Sequence, residues 1–126
     1  MTRIALSLLA GTLLAIAGCA EPESVTRADI EVSKGPDGEV IYLPRNHSTA
    51  TSALAQYLQL EADFAGISKD GYFLDTQLAN LHSQERLLHR AEHFHWRWQD
   101  LDGNQIDIEA RMAAVKSKLE KLNVVG

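Results

Sequence analysis

Four of the five histidines in this 126-residue chain fall between positions 82 and 95: His82, His89, His93 and His95. On a helix, spacings of seven and four place His82, His89 and His93 within about 40° of arc. His89 and His93 lie one turn apart, a spacing at which a helix offers two imidazoles to one metal. Glu85 and Glu92 are near enough in sequence to add carboxylate oxygens. Neutral imidazole suits Zn²⁺, Cu²⁺ or Ni²⁺, which makes the cluster a candidate site for such a metal, zinc among them. The opposing reading is electrostatic. Arg86 and Arg90 share that face, and a guanidinium beside a metal cation is unfavourable. A mixed His/Arg/Glu face is more often simply solvated.

A second group follows at once: Phe94, Trp96 and Trp98. If the helix continues, Trp98 falls on its apolar stripe and belongs in the core. Trp96 falls off the stripe and becomes the candidate partner-binding residue, because exposed tryptophans concentrate binding energy. If the segment is extended, both indoles share one face and the distinction disappears.

These residues need elements to hold them. Residues 29–44 place Ile30 and Val32, then Val40 to Leu43, around a Gly-Pro-Asp-Gly turn, which predicts a β-hairpin. Ala53, Tyr57, Leu60, Phe64 and Ile67 recur at four and three, which predicts a helix over about 49–66 with Ser48 or Thr49 as its cap. No glycine or proline interrupts the chain between Gly71 and Gly103, which favours a helix over 72–99. Its apolar direction changes near Leu87–Ala91. A competing reading makes 92–109 a hairpin that turns at Asp102-Gly103, because Phe94, Trp96 and Trp98 alternate with polar residues. Ile108, Met112, Val115, Leu119 and Leu122 predict a last helix over 104–122, with Asn104 and Asp107 as a capping pair. The expected fold is mainly α: a three-helix bundle or a helical hairpin, with a small N-terminal β-hairpin. The helical domain spans 45–126. The narrow apolar stripes also suit a coiled-coil-like partner helix or a homo-oligomer.

The chain carries one cysteine, Cys19, at the end of its most apolar run. Arg3 is the only charge before Glu21, and residues 4–17 are apolar or small. Fourteen residues span about 21 Å as a helix, short of a bilayer core of about 30 Å. The layout is that of a secretory signal. Ile16-Ala17-Gly18-Cys19 resembles the lipobox of bacterial lipoproteins, a resemblance confined to roughly the first twenty residues. It implies that residues 1–18 are removed and that Cys19 is lipidated, with 19–28 as a tether. Ala20, in place of an aspartate, implies an outer-membrane address facing the periplasm. Two or more acyl chains would hold the protein stably on its membrane.

The net charge of −5 disfavours nucleic acid as a partner. A single cysteine allows no intramolecular disulfide. There is no Gly-rich phosphate loop, no G-x-S-x-G and no H-E-x-x-H, so no enzymatic activity is expected. The expected cofactor is none apart from the lipid, with zinc as the exception if the histidines bind it. The sequence thus favours a lipid-anchored envelope protein serving as a protein-binding accessory or assembly subunit. A metal-binding or sensing lipoprotein using His82–His95 is the first alternative. A structural lipoprotein contacting the cell wall, with its aromatics on peptidoglycan sugars, is the second.

Overall fold

The computed structural model describes residues 22–70 and 73–125; the predicted signal segment and Cys19 lie outside the described residues. The chain is mainly α. In order it forms β1 (Ser24–Val25), a single 3₁₀ turn (Arg27–Asp29), β2 (Ile30–Lys34), β3 (Val40–Pro44), α1 (Thr49–Asp70), α2 (Leu74–His93), β4 (Arg97–Trp98) and α3 (Ile108–Val125). Among the described residues, no helix is long and apolar enough to cross a membrane.

The predicted hairpin is present. β2 and β3 pair antiparallel, with Val32 opposite Tyr42. Gly38 adopts φ +82° and donates its N–H to the Gly35 carbonyl at 3.0 Å, a left-handed position that glycine fills without steric cost. The hairpin does not stand alone. Gln59 of α1 accepts from the Tyr42 N–H at 3.1 Å and donates to the Val40 carbonyl at 3.2 Å. One amide side chain thereby satisfies the outer edge of β3 and fixes it to the helix.

α1 begins where Ser48 accepts the Thr51 N–H on Oγ at 3.4 Å. It was expected to stop at Gly66 and instead runs to Asp70; one glycine in a helix costs only about 1 kcal/mol. Its first half is the more deeply buried, through Leu54, Tyr57 and Leu58. α2 packs against both α1 and α3. Its contact with α1 includes a polar element that apolar periodicity does not reveal. Asn80 donates through Nδ2 to the Leu60 carbonyl at 3.0 Å, and buried Gln84 donates to Asn80 Oδ1 at 2.6 Å.

The helix expected over 72–99 ends at His93. Phe94 N–H reaches the Arg90 carbonyl, His95 N–H the Glu92 carbonyl at 3.2 Å, and Trp96 N–H the Ala91 carbonyl at 2.9 Å. This is the helix-ending pattern that places one residue in the left-handed region, usually glycine. Here His95 takes it, at φ +57°. With no glycine to announce the stop, the sequence reads as uninterrupted helix.

The hairpin reading of 92–109 is right only further on. The chain reverses around Asp100–Asn104, where Asp100 Oδ1 accepts the N–H groups of Asp102 and Asn104, each at 2.9 Å. Gly103 supports the turn at φ +84°. Ile106 N–H donates to the Trp98 carbonyl at 2.8 Å, and Gln99 bridges Gln105. The return is a single bridge rather than a strand. α3 then starts at Ile108, four residues later than expected, because Asp107 and not Asn104 caps it: Asp107 Oδ1 accepts the Ala110 N–H at 3.0 Å.

The expected tether over 19–28 also needs correction. Ser24 and Val25 form a strand parallel to β4, with Val25 opposite Trp98. Val25 is buried in the core. From Pro22 onward these residues belong to the folded body.

Candidate functional site

The histidine cluster does not assemble. His82 and His89 each face the glutamate three residues ahead, with Nδ1 at 3.6 Å from Glu85 and 4.0 Å from Glu92. His93 lies edge-on to the Phe94 ring at 4.8 Å. Among the described residues, no three His, Cys, Asp or Glu side chains form a group able to hold a metal. The helical arc is real, but it faces solvent and each imidazole has its own separate neighbour.

The aromatic residues do assemble, differently from the helical expectation. Trp98 is fully buried and stacks on Tyr57 at 5.6 Å. Its indole N–H has no hydrogen-bond partner among the described residues. Trp96, expected at the surface, is only 9 % exposed. The correction has a physical cause: the helix ends in a turn at Phe94 and His95, and the extended chain that follows puts Trp96 and Trp98 on one side, ring centroids 6.1 Å apart. Of these three residues the exposed one is Phe94, at 52 %. It stacks on Trp96 at 5.2 Å, and the Arg90 guanidinium lies 5.5 Å from the Trp96 ring. A groove of about 380 Å³ adjoins this turn, bordered by Pro22, His95, Trp96, Arg97 and Ile108, with Glu92 and Glu109 at its rim.

A second arrangement joins α1 to α3. Tyr57 donates its hydroxyl to Glu61 Oε2 at 2.7 Å, and Arg111 pairs with the same oxygen. Burial, reinforced by the Glu61 bond and charge, pushes the Tyr57 phenol well above its ordinary range. Burial is the largest single influence on Arg111 and works against its charge, yet the hydrogen bonds and charges of Glu61 and Tyr57 together outweigh it and hold the guanidinium above its usual value. Beside this clamp opens a groove of about 480 Å³ lined by Phe64, Ser68, Lys69, Gln84 and Lys118. The Lys118 ammonium sits 5.2 Å from the Phe64 ring centre, a cation–π contact that occupies one side of the groove. Sequence periodicity marked Tyr57 and Phe64 only as core positions.

The third feature is the free edge of β2. Gly35 N–H donates to the Glu39 carbonyl, and Arg45 N–H to the Asp29 carbonyl, both at 2.8 Å. These bonds fix the alternation between them. Glu31 and Ser33 therefore face β3 with their backbone groups, and Val32 directs its N–H and C=O outward. Nothing among the described residues bonds to them. Side chains here are exposed too: Val32 at 49 % and Leu43 at 44 %. A shallow depression bordered by Arg27, Ile30, Val32 and Arg45 lies alongside.

Comparison of the chain with protein-family models, curated proteins and solved structures finds no match.

Proposed function

We propose that this chain is a lipid-anchored envelope accessory, held at Cys19 on the outer membrane and facing the periplasm, that binds a protein partner along the open edge of β2. Its three helices form a small bundle that serves as the rigid support. The observation that carries the partner-binding reading is the unpaired backbone of Val32, whose own side chain is half exposed beside it. An edge strand with free N–H and C=O groups accepts an extended segment of another protein by strand addition; main-chain bonds supply affinity and side-chain contacts supply selectivity. Lys34 and Arg27 flank this edge and enter no ion pair among the described residues. They favour a partner segment carrying acidic residues and oppose pairing with the same edge of another copy.

Val32→Pro tests the reading. Proline at this position removes only an outward N–H, so the hairpin ladder is preserved. A photocrosslinking residue at Ser33 in the intact lipoprotein should capture one discrete envelope partner in cells, and Val32→Pro should abolish the capture with thermal stability retained. Capture that persists in the proline variant would show that the edge is not the docking element.

A further inference from the structure

We infer that the Phe94–Trp96 turn rests in the headgroup region of the bilayer that carries the anchor, so the domain lies on its membrane through a built surface. The inference rests on lipidation of Cys19 and on where β1 places the chain just ahead of Ser24. β1 runs parallel to β4, with Ser24 opposite Arg97. The Arg97 N–H donates to the Glu23 carbonyl at 2.9 Å. Traced backward from Ser24, the chain therefore passes alongside Trp96 and His95, and Pro22 borders the groove formed by these residues. Glu23 is held a second time, because Ser48 donates its hydroxyl to Glu23 Oε2 at 2.6 Å. Only three residue steps separate Pro22 from Cys19, a reach of at most about 10 Å. A lipid on Cys19 has its attachment point at the boundary between headgroups and acyl chains. The surface around Pro22 must lie within that short distance of it.

What this surface presents fits the place. Phe94 is half exposed and backed by the Trp96 ring. Phenylalanine and tryptophan both serve on the apolar side of segments that lie at the boundary between headgroups and acyl chains. Arg90 and Arg97 can reach phosphates, whereas Glu92 and Glu109 at the groove rim offset them. The contact is accordingly one of aromatic insertion more than of net charge. His95 holds the turn in a left-handed conformation that a side chain rarely adopts, and this conformation carries Phe94 outward while Trp96 turns in.

The experiment uses the intact lipoprotein reconstituted into phosphatidylethanolamine/phosphatidylglycerol vesicles. Phe94→Cys and, separately, Lys121→Cys carry an environment-sensitive fluorophore, since Cys19 itself is acylated. Flotation with vesicles, lost in Cys19→Ser, reports the anchor independently. The expected result is a blue shift and quenching by brominated acyl chains for the label at 94, with neither at 121. Floating protein whose label at 94 remains unquenched, or is quenched no more than at 121, overturns the docking geometry and leaves the anchor standing. Protein that fails to float overturns the anchor, and the docking inference with it.

Discussion

The two small sheets of this protein differ in nearly every respect. The β2–β3 hairpin is local in sequence, five residues long on each side, and open to solvent along one edge. The β1–β4 pair is parallel, two residues long on each side, and joins segments more than seventy residues apart. Yet the shorter pair sits at the centre of the core, with Val25 at 2 % and Trp98 at 0 % exposure. The longer one keeps Val32 and Leu43 in solvent. Strand length is thus a poor guide to structural weight here. The short pair exists because Trp98 needs a cover; the hairpin forms from its own turn and leans on α1 through Gln59.

The sharpest way to break this contrast is Trp98→Ala. It removes the ring stacked on Tyr57 and leaves a cavity against Val25, for an expected loss of about 3–5 kcal/mol in urea denaturation. A loss near that of a surface substitution would mean that the pair is dispensable. Next, Val25→Ala and Val32→Ala delete the same two methyl groups from the two sheets. The first should cost about 2 kcal/mol, and the second less than about 0.5 kcal/mol. Equal shifts in midpoint would erase the distinction. The smallest effect sharpens it: His95→Gly relieves the left-handed strain just ahead of β4 and should stabilise by about 0.5–1 kcal/mol, read as a higher melting temperature.

The same contrast governs what was legible in the sequence. The hairpin was readable because its signal is contiguous: alternating residues, a Gly-Pro-Asp-Gly turn, and proline at the end. The apolar stripe of α3 was readable because Met112, Val115 and Leu119 repeat on one face, and all three are buried. β1 was not readable. Glu23-Ser24-Val25 carries no strand signal of its own, and its partner is fixed only by the tertiary fold. The end of α2 was missed for a different reason. Histidine occupies the position where glycine would have marked the stop, so Trp96 was assigned by helical geometry to the wrong side. The histidine arc was predicted from periodicity alone, and periodicity does not say whether side chains converge. The free edge of β2 was implicit in the hairpin prediction, but that Gln59 closes one edge and leaves the other open is a tertiary fact.

One further consequence follows from the way Glu23 is secured. If Cys19 carries the proposed lipid, traction on it reaches the folded body through Pro22 and Glu23. Here that load meets the Arg97–Glu23 bond, the Ser48–Glu23 bond and then the Gln99–Val25 bond at 3.0 Å in succession. Behind them lies a tryptophan whose lid is Val25. Tugging from that end would lift the lid before it disturbed the helices, so the N-terminal entry to the domain is the seam that would first come open under strain.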